Sequence, residues 1–421
     1  MKKSTEHMLL VILVLVPAMS LLAVPVMAQD VIKIGAIYSL TGPAAPVAKL
    51  QKAATEMAIK EVNAAGGVNI GGKKMQLEPI FCDDQSKAET ATALFKDMVK
   101  KRGVTAMLGG TLAHVPLALN TAIKSDPVFY IATCAVPDAF HQKGVKAPTA
   151  LGILGGASDI GRSGAAFLVE KLKPKKVAGF IPAYAFGNAV ASGFESVMKK
   201  YPQVQYKIFW HPLGSSDMKR DLEAVRDFKP DVIAMASFDK DAVNALNEAF
   251  KMGLGKQAKL FHLWLLDSVG VAVPPDALKG VWAQMFWYHD MTGLQDEAVL
   301  KTTNEFVSTY GKAYGEPPDP FALPAYFAVK EIVRAMESAQ STDPAKMYEA
   351  LMANPVWTGA KGEAKWRKDG RCMYKYSFAI VEGKGPADRK AGTFDIKYDF
   401  AKLVEAVSGK AFTPTLNELG Y

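Results

Sequence analysis

Cysteine is scarce in this chain: Cys82, Cys134 and Cys372 are the only three among 421 residues. An odd number cannot all pair within the chain, and the absence of any CxxC or CxxH spacing argues against structural zinc. One disulfide in an oxidising compartment, or small buried hydrophobes, would account for them equally well. Histidine is sparse too, six residues in all, without metal-ligand spacing. GxSxG, HExxH and GxGxxG do not occur, and Gly156–Ser163 has the spacing of a phosphate-binding loop but carries Arg162 where the lysine belongs. That stretch reads as a helix entry. Arginine-rich or aromatic-interleaved basic stripes are missing as well: the formal charge of +8 comes from scattered pairs such as Lys73-Lys74, Lys175-Lys176 and Lys199-Lys200. Scattered lysines describe a solvated surface rather than a nucleic-acid footprint.

What is present begins with an export signature. Lys2 and Lys3 precede an almost wholly apolar run from Met8 to Ala28, and Val26-Met27-Ala28 places small residues before Gln29. Residues 1–28 therefore read as a cleaved secretory signal peptide. A retained anchor is the competing reading, and Pro17, Ser20 and Pro25 speak against it. With no cysteine near the cleavage point, a lipid anchor has no attachment site, and no second run of spanning length follows. The 393 residues after position 28 exceed what one core usually supports, and their apolar content, 49% over the chain, is enough to fill two lobes.

Residues 31–67 set the pattern for the rest. Val31, Ile32, Ile34, Ala36 and Ile37 form a short apolar strand, and Thr41-Gly42-Pro43 breaks it. Ala54, Ala58, Val62 and Ala65 then recur at helical spacing until Gly66-Gly67 ends the helix. Strand and helix alternate onward to about residue 340, with Lys146–Thr149 as a first crossing out of the first lobe, and a tail rich in short antiparallel strands such as MYKYSFAIV. Such alternation predicts an α/β protein whose mostly parallel sheets carry helices on both faces. In open sheets of this kind ligands bind beyond the carboxyl ends of the strands.

The blocks IKIGAIYSLTGP (32–43), EVNAAGG (61–67), CDDQSKAETA (82–91), PAYAFGNAVASGF (182–194), PDVIAMASFDKDAVNAL (230–246) and PPDPFALPAYFAVKEIVRAM (317–336) resemble, in order, the solute-binding proteins of branched-chain amino-acid ABC transporters. The resemblance implies a type I periplasmic binding fold, two Rossmann-like lobes joined by a three-segment hinge. Lobe one would be residues 29–150 and 284–356, and lobe two 151–283 and 357–421. A ligand closed between them would meet strong, desolvated contacts.

The resemblance also implies where that ligand sits. The family's carboxylate-holding loops match Gly109–His114 and Ile131–Ala135, which makes Thr111, His114, Thr133 and Cys134 candidates, although Leu112 and Ala113 replace hydroxyl residues common there. The acidic position of lobe two matches Asp241, with Asp239 as a near competitor and the helix dipole as a sufficient alternative reason for an aspartate at that place. Tyr184 or Phe186 matches the family's lobe-two aromatic, while Trp264, Trp287 and Tyr288 lie near expected strand ends; core packing is the competing fate of each ring. Where amino-acid binders carry an aromatic after the opening Gly-Pro, this chain has Val47, which points toward another small carboxylate, aromatic or otherwise, or an amide, as readily as an amino acid. The expected function is a periplasmic receptor that performs no chemistry, needs no cofactor or metal, and hands its ligand to membrane permease subunits driven by a separate ATPase. A sensing subunit on the same fold is the alternative.

Overall fold

The computed structural model describes residues 31–42, 44–134, 136–408 and 412–421, so the signal expected over 1–28 lies outside the described residues. The first lobe is built from β1 (Val31–Tyr38), α1 (Ala45–Ala64), β2 (Val68–Ile70), β3 (Lys73–Asp83), α2 (Ala88–Lys101), β4 (Ala106–Gly109), α3 (His114–Ile123), β5 (Phe129–Ala132) and β6 (Ala150–Gly152). Their order in the sheet is β2-β3-β1-β4-β5-β6, parallel throughout except for the β2–β3 hairpin. Because β1 is flanked by β3 and β4 and covered on both faces, it reads as an apolar run rather than an alternation. The buried stripe of α1 runs Ala48, Gln51, Ala54, Thr55, Ala58, Val62, so small side chains let the helix lie close to the sheet.

The second lobe follows as α4 (Ala157–Phe167, prolonged by a π-turn over Leu168–Leu172), β7 (Lys176–Pro182), α5 (Ala185–Met198), β8 (Gln205–His211), α6 (Lys219–Asp227), β9 (Val232–Met235), α7 (Lys240–Lys251), β10 (Lys259–His262), α8 (Asp267–Ala272), α9 (Pro275–Leu278) and β11 (Trp282–Met285). Helices α4 and α5 touch backbone to backbone at Gly161 and Gly193, where a Cβ would stand 1.9 Å from the Val190 carbonyl and 2.1 Å from that of Ser158. The chain then supplies α10 (Glu297–Tyr314), α11 (Ala322–Ala339), α12 (Pro344–Ala353), β12 (Val356–Gly359), β13 (Gly362–Trp366), β14 (Cys372–Tyr374), β15 (Phe378–Gly383) and β16 (Ala401–Val407). The second sheet has the order β16-β15-β11-β10-β9-β7-β8, in which β15 alone runs antiparallel to both of its neighbours, β11 and β16.

The lobe boundaries differ from those read in the sequence. Ala150–Gly152 pairs with Tyr130–Ala132 as the sheet's edge strand, so Lys146–Thr149 does not cross and the first crossing is the Ile153–Gly156 segment. Gln284 and Met285 pair with Ile380 and Ala379 inside the second sheet, which moves the next crossing beyond residue 285. Residues 357–421 are not one block. Trp357, Ala364, Trp366 and Tyr374 are buried in the first-lobe core, and only β15 and β16 join the second sheet. The expected continuous strand MYKYSFAIV is therefore two strands, β14 and β15, with the third crossing between them.

A buried charge network ties these crossings together. Arg371 donates to Asp159 at 2.6 Å and to Asp138 at 2.7 Å, and Arg162 donates to the same two carboxylates at 2.6 and 3.0 Å. Asp138 lies in the first lobe after β5, Asp159 and Arg162 on α4, and Arg371 before β14. Arg162, the arginine in the loop of phosphate-binding spacing, thus serves the hinge from within a helix entry.

Candidate functional site

On the first lobe the carboxyl ends of β1, β4 and β5 bring Ser39, Thr111 and Thr133 together, and a residue of α1 joins them. Gln51, fully buried, donates from Nε2 to Thr133 Oγ1 at 3.0 Å and accepts from Thr111 Oγ1 at 3.0 Å. Thr111 also accepts the Ser39 N–H at 3.3 Å, and the Thr133 N–H is donated to the Gly109 carbonyl at 3.0 Å. The two threonine hydroxyls expected to face a ligand are therefore held in an internal framework. A long polar side chain in the otherwise small stripe of α1 was the available sign of Gln51. His114 is exposed, its Nε2 3.1 Å from the Ser86 carbonyl, and stands apart from this framework.

On the second lobe, rings follow strand after strand. Tyr184 and Phe186 come after β7, Phe238 after β9, Trp264 after β10 and Phe286 after β11. Ring centroids lie 5.8 Å apart for Tyr184–Phe186, 4.9 Å for Phe186–Trp264, 5.4 Å for the stacked Phe238–Trp264 pair and 5.9 Å for Trp264–Phe286. Phe321, at the start of α11, meets Trp264 edge-on at 5.5 Å. Val47 and Cys134 of the first lobe pack against the same second-lobe core, so the lobes touch beside the opening loop. Cys134 is buried there, and none of the cysteines is disulfide-bonded. The indole N–H of Trp264 is buried without an acceptor among the described residues.

Trp287 and Tyr288 do not join this cluster. In the extended segment after β11 successive side chains point to opposite sides. Phe286 faces the rings; Trp287 enters the first-lobe core against Phe306 at 5.7 Å; Tyr288 turns onto Phe400 at 5.3 Å and donates to the Ala401 carbonyl at 3.2 Å. Both are core residues.

Asp241 is buried in the first turn of α7, where its Oδ2 accepts the Gly214 N–H at 2.8 Å. Burial, and secondarily the Asp241 charge, pushes the Tyr184 hydroxyl well above its ordinary pKa. A second acidic centre went unread in the sequence. Asp267 opens α8, its Oδ2 3.2 Å from His289 Nδ1, while its Oδ1 is buried without a partner among the described residues. Asp319, in the loop before α11, is pushed well above the usual carboxylate range by burial, with the nearby Asp267 charge adding to the effect. An acid placed directly after a strand-end Trp-Leu-Leu was its one visible sign.

The strand ends of the first lobe thus carry a hydroxyl and amide framework and those of the second an aromatic cluster. The sequence model of the periplasmic binding protein family matches residues 31–386, and the chain belongs to that family. Among its relatives, a leucine-, isoleucine-, valine-, threonine- and alanine-binding protein of Pseudomonas aeruginosa is 24% identical over 364 residues, covering 86% of this chain and 92% of that protein. A Leu/Ile/Val-binding protein homologue of Brucella melitensis is 23% identical over 382 residues, 89% of either chain. These relatives are solute-binding proteins, not enzymes. The fold matches an amino-acid ABC transporter substrate-binding protein from Pseudomonas fluorescens with a TM-score of 0.80 at 19% identity, covering 93% of this chain and 99% of that one. It matches a solute-binding protein from R. palustris solved with benzoate at 0.71 and 20%, covering 91% and 99%. No helix among the described residues is long and apolar enough to cross a membrane.

Proposed function

We propose that this protein is a periplasmic receptor that captures a small carboxylate bearing an aromatic or other flat apolar part, and delivers it to an ABC permease with a separate ATPase. The observation that carries the ligand class is the ring cluster of Tyr184, Phe186, Phe238 and Trp264, with its unpaired indole N–H, opposite an opening loop that has Val47 in place of a ring. Rings of this kind cover apolar or π surface well. The ligand's carboxylate would be met by backbone N–H groups of residues 111–113, where the loop enters α3, next to Thr133. Residues 1–28 would direct export and be removed before Gln29. The description of the Pseudomonas fluorescens protein as an ABC transporter substrate-binding protein favours delivery over sensing.

Thermal denaturation of the mature protein against benzoate, other small aromatic carboxylates and the aliphatic amino acids tests this reading. A true ligand at about 1,000 times its dissociation constant adds roughly 4 kcal/mol of stability. Aromatic carboxylates should raise the midpoint, Phe186→Ala and Trp264→Ala should abolish the rise, and Asp241→Ala, which removes a partner for an amine, should leave it. A rise with leucine, isoleucine or valine alone, lost in Asp241→Ala, would refute the assignment in favour of amino acids.

A further inference from the structure

A cavity of about 30 Å³ lies in the hinge, lined among others by Gly155, Phe286, Lys361, Arg371, Tyr374 and Ser377, with Phe286 shared between it and the ring cluster. The walls therefore come from all three segments by which the chain passes between the lobes. Lys361, in the turn between β12 and β13, is only 3% exposed. Its ammonium donates to the Ser377 carbonyl at 2.6 Å and lies 4.6 Å from the Tyr374 ring centroid and 5.9 Å from that of Phe286. It forms no ion pair with a carboxylate among the described residues. Arg371, also 3% exposed, directs both terminal nitrogens to Asp138 and Asp159, but its Nε is buried without an acceptor.

The charges around this cavity do not cancel. Among the described residues, Asp138, Asp159 and Asp369 contribute three negative charges, whereas Arg162, Arg367, Arg371 and a protonated Lys361 contribute four positive ones. One buried positive charge is left over, in surroundings where an unpaired charge is strongly unfavourable. Two responses are open to it. The lysine can give up its proton, and burial indeed pushes Lys361 down to about 7. Alternatively a counter-ion can enter. The volume exceeds the roughly 10–15 Å³ that one water-sized particle requires. Cys372, beside the cavity, supplies no negative charge, because burial pushes its thiol well above the ordinary range.

We propose that this hinge cavity binds one monovalent, halide-class anion between the Lys361 ammonium and the Arg371 Nε. The anion neutralises the surplus charge from two first-lobe side chains in a cavity that Phe286 and Phe378 of the second-lobe core also wall, so it strengthens the hinge whatever ligand the cleft accepts.

The test uses the mature protein in halide-free isethionate buffer, with chloride or bromide replacing isethionate at constant ionic strength. The thermal midpoint should rise with halide and saturate, and crystals grown in bromide should show an anomalous peak within hydrogen-bonding distance of Lys361 Nζ and Arg371 Nε. Lys361→Met should abolish the halide-dependent rise. Should that variant fail to fold, the bromide peak in the natural chain decides alone. A midpoint indifferent to halide, a rise retained in Lys361→Met, or bromide found only at other sites would overturn the proposal.

Discussion

Replacing Arg371 by methionine removes the guanidinium that joins Asp138 to Asp159 while keeping most of the side chain's volume. In the native chain Arg371 bonds these two carboxylates at 2.7 and 2.6 Å, and only Arg162 would remain to face both. Breaking a buried pair by deleting one partner costs about 3–5 kcal/mol, since a desolvated charge is left behind. Asp138 supplies a check through pH. The Arg371 and Arg162 charges outweigh its burial and hold its carboxyl down to about 2. A carboxylate whose folded pKa lies below its unfolded value near 3.8 stabilises the fold fully above about pH 4 and loses that contribution as pH falls toward 2. The contribution is about 2 kcal/mol. Urea unfolding followed by circular dichroism should therefore show Arg371→Met less stable by about 3–5 kcal/mol at neutral pH, with the gap to the natural chain narrowing below about pH 4. Adding Asp159→Asn should restore part of the loss. A neutral-pH loss under about 1 kcal/mol, or a gap constant with pH, would refute the reasoning.

Gln51→Leu removes the amide that joins Thr111 and Thr133, and leaving these buried hydroxyls short of partners should cost about 1–3 kcal/mol in chemical denaturation; no loss would mean that the framework does not hold the loops. The buried imidazoles of His141 and His262 are pushed down, chiefly by burial, to about 3 and about 4. The unfolded chain takes up their protons below about pH 6.5 while the folded chain does not, so stability should fall by about 2 kcal/mol per histidine between pH 7 and 5, and a flat profile would contradict their burial as neutral rings.

How far the sequence could be read varied with the distance over which its residues act. The opening strand and helix were legible because their periodicity reports the surroundings of a single element: β1 is covered on both faces, and α1 on one stripe. Tyr184 and Phe186 were legible through a family block and Trp264 through its place near an expected strand end, and the structure brings the three into one cluster. Trp287 and Tyr288 were misplaced because proximity to a strand end says nothing of which side a given side chain takes, and one residue of offset sends neighbours to opposite cores. Phe238, Phe286 and Phe321 were missed for the same reason. Asp267 and Asp319 are 52 positions apart (319 − 267), and no local pattern announces that they meet.

By itself the sequence determined the α/β alternation, the need for two lobes and the family, since strand and helix periods, chain length and ordered blocks are properties of the chain in one dimension. Only the tertiary structure decided where the crossings fall, that Gln51 engages the hydroxyls of the expected carboxylate loops, and that a hinge of two aspartates and two arginines sits beside a lysine with no carboxylate of its own. Those facts depend on burial and on charges brought together from distant segments, and burial sets whether a polar group is solvated, paired or left wanting a partner.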